Sequence, residues 1–159
     1  MFSNKGRPMN AVRLISLLAR VALMVTLGFG LLYWIAQLLR WRGLLVFLSH
    51  VGFPGIHEWF GVIGAVGLLI LAGIAIINRG SRALGAGGVV YALLFPVFGM
   101  TQTLILTGNL HWLIQVAHLA VGLGAMALVL RIEKRYQSIK LAGAGETSTN
   151  ERVSSHVVA

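Results

Sequence analysis

Long apolar runs separated by short polar breaks dominate the chain. Val21 to Leu39 carries no charge and a single Gln, and as a helix rising 1.5 Å per residue it is roughly 28 Å long, about one hydrocarbon thickness. Gly55 to Ile77 repeats the pattern with only His57 and Glu58 near its start. Ala83 to Leu106 has no charge, and Leu110 to Leu130 is interrupted only by histidines and one Gln. The pattern predicts spanning helices over about 21–39, 55–77, 83–106 and 110–130. Breaks as short as 78–82 and 107–109 force antiparallel neighbours, so the expected fold is all-α, an integral membrane four-helix bundle in up-down-up-down order.

The segments outside the spans are read by the same rule. Arg40 to Pro54 is the longest connection, and its apolar patch Leu44 to Leu48 predicts a short helix lying at the membrane interface. Residues 1–20 form a basic N-terminal segment, 21–135 the transmembrane domain, and 136–159 a basic stretch followed by a disordered tail, because the residues from Gly143 on are small and polar. His156 belongs to that tail. The first span has a long apolar core and no small-residue cleavage site after it, so it reads as a retained helix rather than a secretory signal.

Charge adds an orientation. Lys5, Arg7, Arg13, Arg20, Arg79, Arg82, Arg131, Lys134, Arg135, Lys140 and Arg152 fall at one end of such a bundle, and only Arg40 and Arg42 at the other. Eleven cations against two is a positive-inside signal that puts both termini in the cytoplasm and the protein in the cell inner membrane. Trp34, Trp41, Trp59 and Trp112 all lie toward the opposite boundary, as an aromatic belt would. The net charge of +9 is therefore matched to anionic inner-leaflet headgroups rather than to nucleic acid. Composition agrees: 57% hydrophobic and 11% charged residues in 159 are too apolar for a water-soluble domain of that size. With no cysteine, disulfides, thiolate zinc sites, iron–sulfur clusters and covalent haem attachment through C-x-x-C-H are excluded.

His50, His57, His111 and His118 all fall in the outer half of the bundle, and an ionisable group within a span points to function. His57 is followed four residues later by Gly61, and His118 by Gly122, which places a glycine one turn from each His on the same helix face. A glycine there leaves clearance for a flat macrocycle, and imidazole suits iron, so two such helices can hold a haem through two axial histidines. Depth is the harder requirement. His57 is 22 residues from Arg79 and His118 is 13 from Arg131, an offset of about 13 Å that falls to roughly 7 Å if Arg135 marks the boundary. His111, beside Asn109 and Trp112, sits at a helix start and suits a propionate or headgroup contact.

The segments IHEWFGVIGAVGLLIL, GMTQTLIL and TGNLHWLIQVAHLAVGLGAMALVL, in that order, resemble one four-helix half of the haem A synthase family. They are similar also to small four-helix membrane proteins of the same layout. The resemblance covers about residues 20–135 and rests on helix order, the 61-residue separation of His57 and His118, and the Gly-Asn turn before the last helix. It implies His57 and His118 as axial ligands of a b-type haem. The chain departs from the family in two places: Glu58 follows the first His instead of preceding it by a turn, and the extracellular Cys pair is missing.

Other readings compete for the same residues. Gly61, Gly64, Gly67, Gly122 and Gly124 also suit close helix packing in lipid. Pro96 and Gly99 predict a kink in the third span, with Thr101 and Gln102 able to satisfy freed backbone groups. Glu58 reads as a solvated carboxylate at a helix N-terminus, or as a proton-transfer group near a quinol. A four-His zinc or copper site is interrupted by Pro54 between His50 and His57. No nucleophile, carboxylate pair or phosphate loop argues for an enzyme. The expectation is a bis-His haem b protein of electron transfer or haem handling, with a quinol or other redox partner. The alternative is a cofactor-free accessory subunit within a larger membrane complex.

Overall fold

A computed structural model describes residues 11–78 and 80–157, with side chains as far as residue 142. Lys5, Arg7, Arg79 and the Arg152 side chain, four of the eleven cations that suggest orientation, lie outside this description. Among the described residues there is no strand. The elements are α1 (Ala11–Leu38), α2 (Arg42–His50), α3 (Phe53–Ile77), α4 (Arg82–Thr101), a 3₁₀ turn (Gln102–Leu104) and α5 (His111–Val157). Four of the helices, all but α2, are long and apolar enough to cross a membrane. The chain is a four-helix membrane bundle with a short fifth helix between its first two spans.

Helix limits follow from local chemistry. Gly52 in the left-handed region (φ +69°) and Pro54 in the first turn start α3, since Pro needs no hydrogen-bond acceptor there and its fixed φ is already helical. At the other end, Asn78 Nδ2 donates to the Ile74 carbonyl (2.8 Å) and Ser81 Oγ to that of Ala75 (2.8 Å). These side chains satisfy carbonyls that the last turn leaves without partners.

Three boundaries differ from the apolar pattern. α1 is already helical from Ala11, the first described residue, well before Val21, because Val12, Ser16, Ala19, Ala22, Leu23 and Thr26 form one buried stripe at helical spacing that runs past Arg20. α4 stops at Thr101 and gives way to the 3₁₀ turn instead of continuing to Leu106. α5 does not end near Leu130, and the tail expected to be disordered is helical to Val157. No proline follows Pro96, and Gln137 Nε2 bonds Glu133 Oε1 at i,i+4 (2.9 Å), so nothing stops the helix where the apolar run does.

α3 is central, flanked by α1 and α4, and α5 packs on all three; α1 and α4 make no contact with each other among the described residues. The end of the bundle holding Asn78 to Arg82 is tightly packed. A Cβ on Gly67 would lie 2.7 Å from Ala19 Cβ, and one on Gly85 would lie 2.7 Å from the Ala72 carbonyl oxygen. Leu23, Leu68, Leu71, Ala72, Ala125, Val129 and Ile132 form the buried core there. Toward the end that carries the histidines a cavity opens between the helices.

Candidate functional site between alpha3 and alpha5

The cavity has a volume of about 660 Å³, within the roughly 300–1,000 Å³ of small-molecule and cofactor sites. All four long helices wall it, and some wall residues, Leu31 and Met100 among them, are exposed at the protein surface. His57 on α3 and His118 on α5 both line it. Their ring centroids are 6.1 Å apart, with planes at 43°.

The depth offset read from the basic residues disappears in three dimensions. Arg135 Nε and Nη2 both donate to the Gly80 carbonyl (3.1 and 3.0 Å), and Ile139 Cδ1 lies 3.2 Å from where a Gly80 Cβ would be. Gly80, beyond the end of α3, thus packs on α5 at Arg135 and Ile139, past Arg131, and the 6.1 Å between the two ring centroids bounds any difference in their depth. Arg131 misleads as a depth marker because α5 simply continues past it.

The two rings have matching surroundings. His57 Cε1 would be 3.0 Å from a Cβ on Gly30 of α1, and His118 Cε1 3.3 Å from one on Gly99 of α4. Phe53 packs near His57 (centroids 6.1 Å) and Phe98 near His118 (6.0 Å). Both Nδ1 atoms are buried with no hydrogen-bond partner, the only such side-chain N or O atoms among the described residues. A buried polar atom without a partner is costly, so the pair of them, on two rings that line one cavity, calls for an explanation.

The other candidates separate. Gly61 and Gly122 line the cavity; a Cβ on Gly122 would lie 2.7 Å from Leu27 Cδ2 of α1, whereas one on Gly61 would make only an ordinary 3.8 Å contact with Thr26 Cγ2. The glycines that back the imidazoles are Gly30 and Gly99, on other helices, where no spacing rule from either His reaches. His111 lines the cavity near its polar rim, with Nδ1 3.4 Å from the Ile105 carbonyl oxygen. Gln115 Nε2 donates to Gln37 Oε1 across the rim (3.3 Å). Glu58 is the one charged residue on the wall. His50 is elsewhere, its Nδ1 bonded to the Val46 carbonyl of its own short helix (3.0 Å). Thr101 Oγ1 donates to the Val97 carbonyl (2.8 Å), not to that of Ala92, whose usual donor Pro96 lacks.

No described group of three or more His, Cys, Asp or Glu side chains is placed to hold a bare metal ion. Two imidazoles alone do not complete the tetrahedral set that zinc takes. They do complete an iron whose four equatorial positions are supplied by a porphyrin, and imidazoles bound on opposite sides of one metal at about 2 Å stand with centroids roughly 6 Å apart. The donor set, the ring separation and the cavity size thus fit a haem.

Comparison with known families, with characterised proteins and with solved structures gives no match to this chain.

Proposed function

We propose that this multi-pass protein resides in the cell inner membrane, with both termini cytoplasmic, and holds one b-type haem near its outer face between His57 and His118. The observation that carries the reading is the pair of matched imidazoles on facing helices, 6.1 Å apart and lining one cavity. When bound, the haem supplies one-electron redox chemistry, which suits electron transfer or haem handling with a quinol or similar partner. His57 and His118 would hold the group, against a largely apolar wall with polar side chains at one edge. Gln37, Gln102, Thr103, His111 and Gln115 are the groups able to hydrogen-bond the propionates there.

The test is an absorption spectrum of protein purified after haem-replete expression. A Soret band with reduced-state α and β bands is expected, lost in His57→Ala and in His118→Ala, and retained in His50→Ala, since His50 lies off the cavity. A colourless wild-type protein, particularly one that copurifies with larger subunits at fixed stoichiometry, would sink the haem reading in favour of the accessory-subunit alternative.

A further inference from the structure

Gly30 and Gly99 do more than leave room. In a helix, a polar side-chain atom at position i reaches the carbonyl of residue i−4, as Ser and Thr hydroxyls do when they back-bond. Thr26 Oγ1 shows the pattern in this chain, donating to the Ala22 carbonyl at 3.0 Å. Where position i is glycine, that space is open to a group from a neighbouring helix. The imidazole of His57 occupies it at Gly30, with Cε1 and Nδ1 3.0 and 3.6 Å from the absent Cβ, and that of His118 at Gly99, with 3.3 and 4.0 Å. The i−4 carbonyls are those of Thr26 and Phe95. The Thr26 backbone lies beside the His57 ring, although Nδ1 makes no hydrogen bond there.

We infer that Gly30 and Gly99 are positioning residues: each lets an imidazole from the neighbouring helix donate its Nδ1–H to the carbonyl one turn back, Thr26 or Phe95, and so fixes the tautomer whose unprotonated Nε2 is free to bind metal. This answers where the two orphaned Nδ1 protons go, and it is the arrangement that orients and strengthens a ligating His. The inference deepens the haem reading and takes its use from it, but the docking stands on the chain's own residues and is tested without haem.

The experiment is ¹⁵N NMR of the full chain with labelled histidine, expressed without haem and recorded at alkaline pH where both rings are neutral. Signals are assigned by their loss in His57→Ala and His118→Ala. Both rings are expected to show a protonated Nδ1 and an unprotonated Nε2. Gly30→Ala should change the His57 pattern alone, Gly99→Ala the His118 pattern alone, and Gly28→Ala neither, since a Cβ on Gly28 would meet nothing within 4 Å. Wild-type rings protonated at Nε2, or a His57 pattern that Gly30→Ala leaves untouched, would overturn the inference whether or not the protein takes up haem. A missing Soret band with Nδ1-protonated rings would overturn the haem and leave the docking intact.

Discussion

Glu133 is nearly buried at 7% exposure, yet it is fully partnered. The Ser16 hydroxyl donates to Oε2, Arg20 Nη2 lies 3.3 Å from the same oxygen, and Gln137 Nε2 donates to Oε1 at 2.9 Å. The cluster ties α1 to α5. Glu133→Ala leaves the Arg20 guanidinium without its counter-ion, and the fold should lose about 2 kcal/mol, less than the roughly 3–5 of a fully buried pair because Arg20 keeps some access to water. Glu133→Gln, which can still bond Ser16 and Gln137, should lose less. Thermal unfolding in detergent checks both, and equal stability of Glu133→Ala and wild type would rule the clamp out. The sequence assigns Arg20 to the lipid headgroups and is silent on Glu133. A signal was present: Ala125, Val129 and Glu133 recur every four residues, continuing the buried stripe of α5. The roles of Gly30 and Gly99 had no such signal, because only packing brings them to the histidines.

At the scale of helices, small residues decide how closely the spans approach. The reading of Gly64 and Gly67 as packing positions agrees with their contacts to Leu23 and Ala19. On α4 the decisive glycines are Gly85 and Gly88, which the sequence analysis passed over. A Cβ at Gly85 would meet backbone, the Ala72 carbonyl oxygen and the Ile76 nitrogen both at 2.7 Å, and backbone cannot rotate away as a side chain can. Gly85→Ala must push α3 and α4 apart and should cost about 1–3 kcal/mol. Gly87→Ala, two residues on and with nothing within 4 Å, should cost nothing and can gain from helix propensity. A scan of thermal midpoints in detergent separates the two, and similar midpoints for both variants would contradict the packing account. Spans were legible because charge-free runs of about twenty residues have few other uses. Their ends were less so, because Arg20 and Arg131 mark the limits of apolar composition while helix continues through both.

The whole molecule is longer than a bilayer is thick. α5 with its 47 residues extends about 70 Å against a bilayer of about 40–45 Å with its headgroups, so one end projects, and charge marks which. Arg13, Arg82, Arg131, Lys134 and Lys140 are exposed at the end that includes the N-terminus of α1, while exposed Trp41, Trp59 and Trp112 mark the other. In the proposed orientation the basic end, with the extension of α5 beyond the bundle, is cytoplasmic, and the cavity with its histidines faces outward. The absence of cysteine makes this directly measurable, since any introduced thiol is a unique probe. Val51→Cys, exposed after α2, should react with a membrane-impermeant maleimide on intact cells. Ser138→Cys, exposed on α5 level with the basic end, should react only after the membrane is opened. The reverse pattern would invert the orientation without disturbing the bundle, and it would move the proposed haem site, with any partner that reaches it, to the cytoplasmic face.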